Sequence, residues 1–251
     1  MISAGFMGAH EVFAYPPRFA PETWRLDNID EVFARQPFGR QFVNSVYIAA
    51  LNVGGTIVVS SLAGYAFARI PFPGRTVVFV LFLSALLMPL EVLIIPLYIL
   101  MKELGWLGTH VPLIVEPIFG APAVVATFVM RQHFLSLPIE LEDAARIDGL
   151  GRLGIFRHIA LPLAKPALAT IAILTFLASW NSFLEPLVFV AGVPELMTVP
   201  IGLTQYVEVY GEPIWNIQMA ASSLSVVPIL VVFVFAQRHF VRGISRAGIQ
   251  G

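Results

Sequence analysis

The chain has no cysteine, which excludes disulfides and thiolate metal sites. Charge is nearly as scarce: 12% of the 251 residues are Asp, Glu, Lys or Arg, against about 25% in soluble domains. A formal net charge of −1 leaves no basic excess for nucleic acid. The five His are scattered, without HExxH or another close ligand pair, so no metal site is expected. There is no Gly-x-x-x-x-Gly-Lys-Ser/Thr phosphate loop, so the chain is not expected to be its own ATPase. Nor is there a Gly-x-Ser-x-Gly turn, and no catalytic constellation is visible. Extended alternating strand patterns are missing too, which argues against a β-barrel.

What remains is apolar. Hydrophobic residues make up 57% and the mean hydropathy is +0.81, which places the chain in a membrane. Five long apolar runs, 41–67, 77–100, 111–129, 167–191 and 217–236, predict an all-α, polytopic membrane helix bundle of five spans in a lipid bilayer. Gly54, Gly55, Ser60, Ser61 and Gly64 suit the first span to close helix packing. Pro89 and Pro96 interrupt the second run and Pro186 the fourth. Residues 1–40 differ: a short apolar start, a Pro-rich stretch and mixed charges read as a water-facing segment with a short helix near 28–35. No basic start precedes an apolar core, so a cleavable signal peptide is not expected.

Lys and Arg set the orientation. Arg69 and Arg75 follow the first run; Arg131, Arg146, Arg152, Arg157 and Lys165 lie in or near 131–165; Arg238, Arg242 and Arg246 fill the tail. The loop 193–215 has none. The positive-inside rule therefore places 131–165 and the C-terminus in the cytoplasm and residues 1–40 outside.

The stretch 136–162 is polar among apolar neighbours. Pro138 fits a first helical position, Glu140, Glu142 and Asp143 favour the positive end of the helix dipole, and Glu142–Arg146 is an i,i+4 pair. Gly149 suits the left-handed residue that stops a helix, and 153–159 predicts a second short helix before Pro162. Glu140 and Glu142 are expected on an exposed face. The residues alone leave two readings open: an ordinary capped loop, or a helix-Gly-helix elbow that docks on a partner.

The spacing of Asp143-Ala144-Ala145, Asp148-Gly149, Ile159 and Leu161-Pro162 resembles the EAA loop of ABC importer permeases, with Asp143 where the family usually has Glu. Ala145-Arg146-Ile147-Asp148-Gly149 and the run 161–170 resemble the carbohydrate-uptake, maltose-transporter-like branch, and the likeness covers nearly all of residues 10–251. The resemblance implies a permease domain over 41–251 whose elbow residues couple it to ATPase subunits. It implies a second, homologous or identical permease, two ATPase subunits that bind the ATP, and an extracytoplasmic solute-binding protein. No cofactor is expected in the chain itself, and the bacterial-type inner membrane is the expected location. The family usually has six spans; the chain starts about where the first would end, so an upstream start or a shortened chain is expected, with a true five-span permease as the alternative. A secondary transporter working without an ATPase is the alternative, and a non-transporting membrane scaffold is a third possibility.

Buried-polar candidates are Asn52, Glu91, Glu116, Asn181 and Glu185, because polar groups within spans are expensive to leave unpaired and are functional-site candidates by default. Asn181 and Glu185, four apart before Pro186, are expected on one helix face and could line a path for a hydroxylated solute. The bland reading is that they bond to a neighbouring helix or to backbone freed by Pro186. Run 180–186 resembles the same branch, with Ser182 and Glu185 where Asp and Trp are common. Trp24, Trp106, Tyr206, Tyr210 and Trp215 are expected to sit at the membrane interface as an aromatic belt.

Overall fold

The computed structural model describes residues 1–16, 19–190, 192–208 and 211–247, with only helix backbone from 236 onward. Pro17, Arg18, Ala191 and Tyr210, and the side chains of Arg238, Arg242 and Arg246, lie outside the described residues.

In chain order the helices are α1 (Asp27–Arg35), α2 (Phe38–Arg69), α3 (Arg75–Ser84), α4 (Leu90–Glu103), α5 (Val111–Phe119), α6 (Ala121–Ser136) and α7 (Ile139–Ile147). They continue with α8 (Arg152–Ile155), α9 (Leu161–Leu163), α10 (Lys165–Asn181), α11 (Leu184–Phe189), α12 (Val199–Leu203) and α13 (Trp215–Ala247). No strand occurs among the described residues beyond one isolated bridge, Val207 to Pro213. The all-α expectation holds.

Three segments are each long and apolar enough to cross a membrane: α2, the run Val111–Ser136, and α13 over Trp215–Phe235. Two bent pairs bring the count to five if each is one span. Here the structure corrects the sequence reading. The second run is not one straight span but turns through 98° between Leu87 and Leu90. Pro89 drives the turn, because its ring pushes Met88 out of the helical region, to φ −93° and ψ 112°. Pro96, by contrast, lies inside a continuous α4. The fourth run ends early, at Asn181, and the chain breaks at Ser182 and Phe183 before α11. Pro186 is the third residue of α11, where a helix has no internal partner for its N–H groups, so it causes no break.

Two compact units share the chain. One comprises Met1–Ile48, Met101–Pro112 and Trp180–Phe235. Its polar side chains close loops: Asn28 Nδ2 donates to Gly5 O and Met7 O, both at 2.9 Å. Asn44 Nδ2 donates to Glu195 O and Met197 O, and Ser45 Oγ accepts from Val199 N at 2.9 Å. Tyr206 is buried and donates to Val32 O at 3.1 Å. Burial pushes its phenol well above the ordinary value. It is therefore a packing residue of this unit rather than part of an interfacial belt. Trp24 is 67% exposed against Phe6, and Trp215 40% exposed against Phe13.

The other unit comprises Ala49–Leu100, Leu113–Ser179 and the end of α13 from Ala236. Its helices meet at small residues. A Cβ on Gly64 would stand 2.6 Å from Met130 Cβ, so only glycine permits α2 to lie this close to α6. Asn52 Nδ2 ties α2 to Leu113 O at 3.0 Å and to Ser179 Oγ at 2.9 Å. The core gathers Tyr65 and Ala68 from α2, Ala126, Met130 and Phe134 from α6, and Phe156, Ala160, Ala164, Ala167 and Ile171 from the segment after α7.

A candidate coupling elbow and a polar break

The polar stretch folds as two arms about Gly149. α7 starts at Ile139, one residue later than the sequence suggested, with Pro138 just outside it in extended backbone (φ −57°, ψ 130°). Glu140 and Glu142 lie in its first turn and Arg146 in its last, matching the helix dipole at both ends. The stop is a Schellman motif. Leu150 N–H bonds to Ala145 C=O and Gly149 N–H to Arg146 C=O, both at 3.0 Å, and Gly149 holds φ +87°. A side chain is disfavoured there by backbone conformation alone, since an added Cβ meets nothing within 4 Å.

The second arm is longer than expected, running from Arg152 to Leu163 instead of 153–159. Its middle, Phe156–Ala160, is a wider π-helical turn in which Leu161 N–H reaches Phe156 C=O. Pro162 follows directly. Its ring would crowd the carbonyl four residues back in a regular α-helix, and the wider turn makes room.

Burial sorts the elbow residues into two faces. Asp143, Ala144, Asp148, Gly149 and Pro162 are exposed. Ile159 is half-buried, and so is Leu161, which packs against the core. Ala145 is only 4% exposed, so it belongs to the inward face and not to a free docking face. The tip itself is apolar and uncovered: Ile147 is 87% exposed and Leu153 73%. Covering both side chains would gain about 1.5–3 kcal/mol each.

Glu142 corrects the sequence reading most. Expected in water, it is 3% exposed. Its Oε1 stands 3.1 Å from Arg69 Nε, and its Oε2 lies 3.4 Å from Arg146 Nη2. Arg146 Nη1 also donates to Asp143 Oδ1 at 2.6 Å. The Arg69 contact is at ion-pair distance without a well-aligned N–H···O bond, so charge rather than hydrogen-bond direction holds it. Removing one partner of such a buried pair typically costs about 3–5 kcal/mol. Sequence reasoning used Arg69 only to orient the chain. The missed signal was phase: Glu142 lies three residues before Ala145 and so shares its face.

The polar candidates near α10 do not form one face. Asn181 is exposed and closes α10, whereas half-buried Glu185 belongs to α11 beyond the break. Ser182 Oγ donates to Glu185 Oε2 at 2.5 Å, so that carboxylate serves the break itself. Of the remaining candidates, Glu91 is exposed in the first turn of α4 and Glu116 is half-buried in α5.

Residues 46–246, which include the whole elbow, match the family described as binding-protein-dependent transport system inner membrane component. The chain is 42% identical over 234 residues to an arabinooligosaccharides transport system permease protein, AraQ, of Halalkalibacterium halodurans, covering 93% of this chain and 82% of that protein. It is 34% identical over 248 residues to the sn-glycerol-3-phosphate transport system permease protein UgpE of Escherichia coli, covering 96% and 87%. Among solved structures, a bacterial ABC transporter involved in the import of the acidic polysaccharide alginate contains a chain of the same fold. The TM-score is 0.83 at 22% identity, over 95% of this chain and 88% of that one.

Proposed function

The chain belongs to the binding-protein-dependent transport system inner membrane component family, and from that premise we propose that it is the permease subunit of an ATP-driven sugar importer, moved through its elbow by separate ATPase subunits. It is a multi-pass membrane protein of a transport system. The observation that carries the coupling role is the elbow: a helix stopped by left-handed Gly149, with Ile147 and Leu153 uncovered at its tip. Such a tip fits a groove on a partner, and Asp143, Ala144, Asp148 and Gly149 would line the contact, while Ala145, Ile159, Leu161 and Pro162 shape the arms behind it.

The assembly we infer contains a second permease, homologous or identical, two ATPase subunits that hold the ATP, and an extracytoplasmic binding protein. The elbow and the C-terminus face the cytoplasm, in keeping with the Lys/Arg distribution. The solute is a sugar or sugar-like compound, by kinship with the arabinooligosaccharide and sn-glycerol-3-phosphate permeases. Asn181 and Glu185 are proposed for the solute path as two separate groups flanking the break after α10. ATP can move the permease only if the ATPase binds its inward- and outward-open states with different energies.

The test is reconstitution in vesicles with the second permease, the ATPase subunits and the binding protein. Uptake of labelled oligosaccharide should require ATP and every partner, and the purified permease alone should hydrolyse no ATP. Uptake by the chain alone, driven by an ion gradient, would establish the secondary-transporter alternative instead.

A further inference from the structure

The last turn of α2 carries two residues that each hold a different arm of the elbow. Tyr65 and Arg69 are four apart and so lie on one face. Tyr65 meets Phe156 of the second arm, ring centroids 5.1 Å apart, and Phe134 of α6 edge-on at 5.5 Å. Arg69 holds the first arm at two points: Nη2 donates to Leu137 O at 2.5 Å, just before α7, and Nε stands 3.1 Å from Glu142 Oε1. Arg69 is the final residue of α2, so the grip falls on the end of a span-length helix.

Stability does not explain an ion pair here. Glu142 occupies the inward stripe of α7 beside Ala145, where an apolar side chain would pack. Buried pairs exchanged for apolar residues of similar size are often as stable or more so. Glu142 is also bridged outward, through Arg146, to exposed Asp143. A continuous chain of contacts therefore runs from the solvent face of the elbow to the end of α2.

We propose that Arg69 and Glu142 are a positioning pair that transmits displacement of the elbow to α2, with Tyr65–Phe156 as the apolar half of the same grip. The role in transport rests on the permease reading above; the grip itself does not.

Two measurements separate these. In the full chain alone, a nitroxide on Ile147→Cys reads how firmly the elbow is held. It should be more mobile in Arg69→Met and Glu142→Gln than with the pair intact, and unchanged mobility overturns the grip whatever transport shows. In the reconstituted assembly, both variants should keep the ATPase bound and hydrolysing. Solute carried per ATP should fall about tenfold, within the range by which residues between two sites alter coupling. Arg69→Lys, which keeps the charge but not the two-point hold, should lose less transport than Arg69→Met. The double variant Arg69→Met/Glu142→Leu should unfold near the wild-type temperature, with no buried charge left alone, yet stay uncoupled. If the double variant regains wild-type transport along with stability, the pair is only a structural tie and the proposal fails. It also fails if the single variants, fully assembled, transport normally.

Discussion

Gly149→Val isolates the elbow turn from everything around it. Gly149 sits at φ +87°, and nothing lies within 4 Å of a Cβ built there, so substitution brings backbone strain without a clash. A β-branched residue held in that region is strained by about 1–3 kcal/mol. That corresponds to a roughly 5- to 150-fold shift in the equilibrium constant between the capped elbow and its alternatives. The strain is confined to the Schellman turn, which lies outside every span-length helix. Gly149→Val should therefore leave the amount of chain in the membrane unchanged. ATPase recovered by co-purification, and ATP-dependent uptake in vesicles, should each fall, by up to that factor. Gly149→Asn should behave close to wild type, because Asn visits the left-handed region readily. Gly154→Ala is the second control, its Cβ meeting only the flexible end of Leu150 at 2.8 Å. If Val, Asn and wild type recover equal ATPase and equal uptake, the turn has no part in docking and the reasoning is refuted.

Further outcomes follow from the sorted faces and the close helix contacts. Ala144→Arg, on the exposed face, should keep the chain in the membrane while reducing bound ATPase; Ala145→Arg, buried, should lower the yield of folded chain itself, read by size-exclusion in detergent. Equal effects of the two would show that the faces are misassigned. Gly64→Leu should lower the thermal unfolding midpoint by an amount equivalent to about 1–3 kcal/mol, because its side chain must displace Met130. An unchanged midpoint would mean α2 and α6 are not in close contact. Since the chain lacks Cys, single Cys residues at exposed Leu153 and Glu208 give clean labelling. Leu153→Cys should react with an impermeant maleimide only from the cytoplasmic side and Glu208→Cys only from the other; the reverse pattern would invert the orientation.

Features under the control of short-range sterics and composition were legible in the chain. A chain this apolar must satisfy its backbone within helices if it is to enter a bilayer, so the all-α class was legible from composition. The elbow turn was legible at Gly149, because left-handed backbone is a property of one residue and its immediate neighbours. Pro89 announced an interruption, but not that the chain would turn through 98° there. Pro186 announced a kink that packing moved to Ser182 and Phe183, since a proline in a first helical turn removes no bond. Which side of α7 faces inward was settled by helix packing. Glu142 and Glu140 look alike in the sequence; the first is buried because Arg69, at the end of a helix far away in the chain, is there to meet it. In the same way Tyr206 left the expected aromatic belt because Val32 O supplied an acceptor inside the unit. Burial of a polar group depends on the partner that satisfies it, and partners distant in sequence meet only once the helices have packed.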